Sequence, residues 1–284
     1  MDGVILVDKS KGISSFGVVS KIKKYLKTRD VGHCGTLDPM AEGLMVICVN
    51  KALKIAKYLT EDRKTYIAKV KLGETTPTLD VEGEIVERKE VPFLSEEKIK
   101  EILSTFLGKS EQIPPIYSAI QINGKRLYEY ARNNEKVDVP PRSIEIYNIE
   151  FIAYKNNEIE FSVDCSKGTY IRTLCADIAA RLETIGYMTY LRRVKAGIFD
   201  IKNSSTLENI ENGEYKIVSI KDALLNVGFD CFVASDDEKK MIKDGRTISR
   251  KLENKTLYID ENESALAMYE YDEEIKVSKC LRKF

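Results

Sequence analysis

The sequence predicts an α+β protein on three observations: short apolar runs with strand character alternate with stretches of helical period, no strict βαβ rhythm links them, and no segment repeats. At 284 residues with 43% hydrophobic content, the chain can bury one large core, or a main core and a small one.

Taken in order, the apolar run at 4–7 (VILV) reads as a short buried strand. In ISSFGVVSKIKKYLKT a serine cap precedes Val18, Val19, Ile22, Tyr25 and Leu26 at helical spacing, which predicts a helix. GLMVICV at 43–49 is a second buried strand, and TYIAKVKLG at 65–73 alternates. SEEKIKEILSTFLG at 95–108 is an amphipathic helix, with Ser95 at its start and Gly108 just past its end. EIEFSVDC at 158–165 puts Ile159, Phe161, Val163 and Cys165 on one face of a strand. In the helix that follows, YIRTLCADIAARLETIG, the stripe is Leu174, Ile178, Leu182 and Ile185, and Gly186 is the stop.

Two stretches interrupt this pattern. Residues 111–146 begin and end with a proline pair and carry Lys125, Arg126, Arg132 and three tyrosines between them, a composition that suggests a protruding arm. From about residue 228 the chain turns acidic and short-stranded, which predicts domains at 1–227 and 228–284, the second small and β-rich.

Composition narrows the function. No run of eighteen apolar residues occurs, and the start MDGVILVDKSKG lacks the basic beginning and apolar centre of a secretory signal, so a cytoplasmic protein with no membrane partner is expected. The six cysteines never form a C-x-x-C pair and only His33 could join them as a soft ligand, so reduced thiols and no metal site are expected. The formal net charge of zero hides segregation: +7 for residues 1–71, −6 for 72–160, +3 for 161–202 and −4 for 203–284. Such segregation can give a basic face to a neutral molecule and steer a polyanion, although 45 charges of each sign are rarely spread evenly.

The basic segment carries HCGTLDPMAEG at 33–43, with the only histidine and one carboxylate, Asp38, between Gly35 and Gly43. Pro39 fixes φ right after it, so this backbone is not ordinary helix. Either Asp38 is a presented side chain, or the pair is an Asp-Pro turn, the commoner fate of a lone pair.

Six blocks decide between these: GVILVDKSKGISS, VGHCGTLDPMAEGLMVICV, KTYIAKVKLGETTPTLDVEG, QIPPIYSAIQINGKRLYEYAR, CSKGTYIRTLCADIA and LRRVKAG, spread over residues 3–197. In order and spacing they resemble the bacterial tRNA pseudouridine synthase B (TruB) family. The resemblance implies the pseudouridine synthase fold, with a mixed, largely antiparallel central sheet, the arm as an inserted RNA-binding element and a PUA-like end. It also implies isomerisation of uridine 55 in the T-loop of tRNA, bound at T-loop and elbow, without a cofactor or an obligatory protein partner.

The chemistry makes sense of that. The bond from ribose C1′ to uracil N1 breaks, the base turns and rejoins through C5, and nothing is oxidised or imported. Glycosidic cleavage develops positive charge on the sugar, which an ionised carboxylate can stabilise or bond to, or the carboxylate can remove a proton from C2′. The resemblance assigns these roles to Asp38, with Arg172 as the arginine that lowers its pKa and aims it. Tyr66 matches the tyrosine that can stack on the extruded base and exchange protons with it, and Leu191 an apolar residue of the base pocket. Taken alone, Arg172 reads as a surface helix arginine, and Tyr66 and Leu191 as core residues. His33 matches the histidine that enters the space the base leaves. Lys9, Lys125 and Arg126 would meet phosphates, and Tyr117 would support the site from the arm's base. Asp80 and Gly83 match a loop whose acid is assigned to loop structure or orientation.

Three positions depart from the family pattern: Ser10 for proline, Glu42 for a small or hydroxyl residue and Gln121 for lysine. The last two bear on RNA affinity rather than on the chemistry. An RNA-binding chaperone of the same fold is the main alternative, opposed by the intact Asp38, Tyr66 and Arg172 set. A base-excising hydrolase would need a second carboxylate near Asp38, which GTLDP does not supply. A guide-RNA-dependent relative is disfavoured by the lack of lysine-rich tails.

Overall fold

In the computed structural model the described residues are 1–60, 63–133 and 135–284; Asn134, within the predicted arm, lies outside them. The N-terminal apolar run forms β1 (Gly3–Lys9), with Val4, Ile5 and Val7 all at 0% exposure, because both faces of this strand are covered. That explains a continuous apolar run rather than an alternating one. Helix α1 (Ser15–Tyr25) starts where the Ser14 side chain accepts from the Gly17 N–H at 3.0 Å, and its Val18, Val19 and Ile22 pack into the main core.

Strands β2 (Val31–His33) and β3 (Glu42–Val49) flank the Asp38 loop. The alternating β4 (Lys64–Leu72) buries Tyr66, Ala68, Val70 and Leu72. Helix α2 (Glu96–Ser104), capped by Ser95, ends earlier than the sequence reading: Gly108, taken as its stop, opens strand β5 (Gly108–Gln112) with φ of +93°.

The arm is also shorter than predicted. Residues 111–112 belong to β5 and 142–146 to β6 (Arg142–Lys155), and the two strands pair from Arg142 opposite Gln112 to Ile146 opposite Gly108. What lies between is a short hairpin, Gln121–Ile122 against Lys125–Arg126, followed by α3 (Leu127–Arg132). Asn123 and Gly124 turn the hairpin with φ of +52° and +78°, the backbone that an Asn-Gly pair accepts readily.

Strand β7 (Glu158–Cys165) leads to α4 (Ile171–Arg181). The helix stops before Gly186, at Leu182 and the left-handed Glu183 (φ +62°). Gly186 instead opens β8 (Gly186–Ala196), where an added Cβ would sit 2.8 Å from the Lys71 carbonyl oxygen. Close strand approach, not helix termination, requires this glycine.

With β9 (Ser205–Thr206), the central sheet runs β9–β1–β3–β8–β4–β7–β6–β5. Only the β1–β9 and β3–β8 pairings along this path are parallel, so the sheet is mixed and largely antiparallel. After α5 (Ile220–Asn226) come β10 (Asp230–Val233), β11 (Thr256–Ile259), β12 (Ala265–Asp272) and β13 (Val277–Lys283), a second sheet that makes the small β-rich C-terminal domain. Its Leu257, Ile259 and Met268 share an apolar cluster with Val4, Leu6, Leu44 and Val46 of β1 and β3. The C-terminal sheet therefore covers the face of the central sheet opposite α1. No helix among the described residues is long and apolar enough to cross a membrane.

Candidate active site

Asp38 lies on the loop between β2 and β3, and three side chains fix that loop through its backbone. Ser15 Oγ donates to the Leu37 carbonyl and accepts from the Leu37 N–H, both at 2.8 Å. Arg193, 2% exposed, donates to the carbonyls of Gly35 (3.1 Å), Thr36 (3.2 Å) and Leu44 (2.7 Å). Lys9 Nζ donates to the carbonyls of Ile13 (2.8 Å), Ser10 (3.1 Å) and Pro39 (3.2 Å). Gly43 (φ +103°) allows the close crossing of β3 and β8, since a Cβ there would meet the Arg193 carbonyl oxygen at 2.3 Å. The loop is held from both ends, and Asp38 is a presented side chain.

Arg172, the second residue of α4 and 6% exposed, faces it. Its Nε lies 3.1 Å from Asp38 Oδ2 and its Nη1 3.4 Å from Asp80 Oδ2. It also donates to the carbonyls of Thr78 (3.1 Å) and Tyr117 (3.0 Å), so one planar fork ties the Asp38 loop, the Asp80 loop and the base of the arm. Gln112, 4% exposed, orients the start of α4 by donating to the Tyr170 carbonyl (3.1 Å) and accepting from its N–H (2.7 Å).

A second carboxylate thus does share the site, contrary to the reading of GTLDP alone. Asp80 is 2% exposed and its Oδ1 accepts from Thr78 Oγ1 (2.7 Å) and the Glu82 N–H (3.0 Å). It is spent on holding its loop and Arg172, and is not free to protonate a leaving group.

Burial pushes the Asp38 carboxyl above its ordinary value; Arg172 pulls it back, Asp80 pushes it up and Lys9 pulls it down. The lowering expected from Arg172 is present but outweighed. A side-chain exposure of 36% keeps Asp38 in contact with the cavity it lines. Burial likewise raises the Tyr66 phenol, opposed by Arg193, and lowers the His33 imidazole, helped by Arg193, so both rings are neutral near pH 7.

A cavity of about 490 Å³ opens here, lined among others by Asp38, Tyr66, Tyr117, Arg172 and Leu191. That volume and mixture of apolar walls with a few charged groups suit a small ligand or an extruded base. The remaining predicted residues lie elsewhere. His33 is half-buried at the end of β2, its Nδ1 accepting from the Gly35 N–H at 3.3 Å. Lys9 is a correction: at 0% exposure it reaches no phosphate and braces the Asp38 loop instead. Lys125 is paired with Glu135 at 2.7 Å, and Arg126 is exposed on the arm with its guanidinium 5.9 Å from the Tyr128 ring. Glu42 does not stand as a bare negative charge, because Arg192 lies 3.4 Å away.

Sequence reasoning missed Arg193 and Gln112. For Arg193 a signal existed: period two along β8 from the inward Leu191 puts Arg193 on the same face. Gln112 gave none. Among the described residues no group of three or more His, Cys, Asp or Glu side chains is placed to hold a metal ion.

Residues 23–171 match the family model described as TruB family pseudouridylate synthase (N terminal domain), and residues 172–226 the one described as tRNA pseudouridylate synthase B C-terminal domain. The tRNA pseudouridine synthase B of Oceanobacillus iheyensis is 47% identical over 214 residues, covering 74% of this chain and 71% of its own length. That of Mesoplasma florum is 38% identical over 282 residues, covering 99% and 97%. Of solved structures, the chain is similar to one described as a Cbf5-Nop10-Gar1 complex (TM-score 0.70, 23% identity, 95% of this chain and 78% of that chain). It is also similar to an H/ACA RNP bound to a substrate RNA containing 2′-deoxyuridine (TM-score 0.69, 21% identity, 99% and 84%). At these identities the structural likeness is one of fold.

Proposed function

The chain belongs to the TruB family of pseudouridylate synthases and is a tRNA pseudouridine synthase, an isomerase, and from that premise we propose that it acts on uridine 55 of the T-loop with Asp38 as its reactive group. The observation that carries the reading is the Arg172 fork holding Asp38 at 3.1 Å in the cavity that Tyr66 and Leu191 line. Phosphate binding needs none of these groups, which is why a chaperone without chemistry is not favoured.

The target uridine leaves its stack, with neutral His33 entering the gap, and its base lies between Tyr66 and Leu191. Asp38, ionised and aimed by Arg172, then acts on the ribose. Attack at C1′ displaces uracil with its bonding pair on N1; proton removal from C2′ expels the same leaving group. Both routes require the same carboxylate in the same place. The freed base turns and C5 bonds to C1′ as Asp38 leaves that carbon with its bonding pair, or, on the second route, as Asp38 returns the proton to C2′. The C5 proton is then lost, with Tyr66 lining the cavity to relay it to the base. Arg193, Ser15 and Lys9 act on the Asp38 backbone and keep the carboxylate's position from drifting. Lys125 and Arg126 contact tRNA phosphates from the arm, Tyr117 supports Arg172 through its carbonyl, and residues 1–227 form the catalytic unit against which a PUA-like 228–284 docks.

The pure protein, given a tRNA transcript tritiated at uridine C5 and no added metal or nucleotide, should release tritium. A transcript with cytidine at position 55 should release none. Undiminished release from that transcript would place the target elsewhere.

A further inference from the structure

Ser118 lines the Asp38 cavity and is 7% exposed, yet its hydroxyl oxygen is enclosed and meets no hydrogen-bond partner among the described residues. Its backbone, by contrast, is anchored. The Ser118 carbonyl accepts from the Tyr128 N–H at 3.1 Å, and the preceding carbonyl, that of Tyr117, accepts from Arg172 at 3.0 Å. The hydroxyl therefore sits at the base of the arm, one residue from the carbonyl that Arg172 grips while holding Asp38. Asp164 Oδ1 and Tyr258 Oη are also enclosed and meet no hydrogen-bond partner among the described residues, but neither residue lines this cavity.

A buried hydroxyl that forgoes its bond costs the free protein stability, so a partner arriving with the substrate would recover that cost. We propose that Ser118 Oγ hydrogen-bonds the polar edge of the uracil admitted to the cavity, making Ser118 a base-binding residue; this rests on the function given above. Rotation about Cα–Cβ carries the oxygen between staggered positions toward the cavity that the residue lines. There a hydroxyl can donate to the O2 or O4 carbonyl or accept from N3–H. A phosphate is the poorer partner. It would bring charge against a neutral, enclosed hydroxyl, while the nearby guanidiniums of Arg172 and Arg193 are already engaged with carboxylates and carbonyls.

The test is a binding cycle in the full chain carrying Asp38→Asn, so that no turnover consumes the RNA. Affinity is measured for a T-loop RNA with uridine at the target position and for the same RNA abasic there. Adding Ser118→Ala should weaken the uridine RNA about tenfold and leave the abasic RNA unchanged. Ser118→Cys, with a weaker donor of similar size, should fall between. The melting temperature of Ser118→Ala should equal or exceed that of its parent, because an unsatisfied group has been removed. Equal losses on both RNAs, no loss on either, or a lowered melting temperature would each overturn the proposal. Tritium release by the wild-type protein judges the proposed function separately, and the binding cycle judges Ser118 whatever that result.

Discussion

Arg172→Lys keeps the positive charge of the site and removes only the fork. The guanidinium serves four acceptors from one plane: Asp38 at 3.1 Å, Asp80 at 3.4 Å, and the Thr78 and Tyr117 carbonyls at 3.1 and 3.0 Å. An ammonium presents its protons from a single nitrogen and cannot reach acceptors spread around a planar group. Drawn to the two carboxylates, the substituted side chain would abandon both carbonyls. Two charge-assisted hydrogen bonds at the low end of roughly 1.5–3 kcal/mol each give a loss of about 3 kcal/mol. If that loss falls on the aim of Asp38, single-turnover chemistry slows roughly 100-fold. The assay is tritium release with enzyme in saturating excess over tRNA, so that binding and product release do not enter. A rate within threefold of wild type would show that charge alone suffices and that the fork geometry does not matter.

Tyr66→Phe retains the ring but not the hydroxyl, so single-turnover release should slow by about 100-fold while filter binding of tRNA is unchanged; near-normal release would leave Tyr66 a stacking platform. Lys125→Glu with Arg126→Glu should weaken tRNA binding and flatten its dependence on salt, with the rate on saturating tRNA nearly intact. Because Lys125 is already paired with Glu135, the slope should change by about one counterion rather than about two, and an unchanged slope would take the RNA off the arm. Burial raises the pKa of Asp38, so the fold holds this proton more tightly than the unfolded chain does. The resulting stability is present below the unfolded value and lost as pH rises through the folded one. At pH 7, Asp38→Asn should therefore melt higher than wild type by calorimetry, and a lower melting temperature would show that the pair with Arg172 outweighs burial.

The elements were legible wherever one period dominated. The alternation of β4, the Ser14 and Ser95 caps and the both-faces-buried β1 follow from local patterns that tertiary contacts reinforce. Helix ends were not, because Gly108 and Gly186 look like stops in sequence but serve as strand starts, the latter through close backbone approach. At the site, Asp38, Tyr66 and Arg172 were found through motif resemblance, and the structure gathers them around one cavity. The burial of Lys9 was invisible, since a lysine beside an exposed-looking Ser-Lys-Gly reads as solvent-facing until the carbonyls of Ile13 and Pro39 are brought around it. Asp80 and Gln112 act through contacts distant in sequence, which no local period encodes. The shared cluster of Leu257 and Met268 with Val4 and Leu44 was hidden for the same reason, and it makes the C-terminal sheet part of the core's cover rather than an appendage.

Asp38→Asn, compared with wild type on one C5-tritiated tRNA preparation with chemistry and binding both measured, tests the role of the carboxylate most directly. The substitution keeps shape and removes charge and nucleophilicity. Tritium release should fall to background while the affinity for tRNA stays within a few-fold of wild type. Appreciable release by the asparagine variant would remove Asp38 from the reaction, and with it the function assigned to the Arg172 fork.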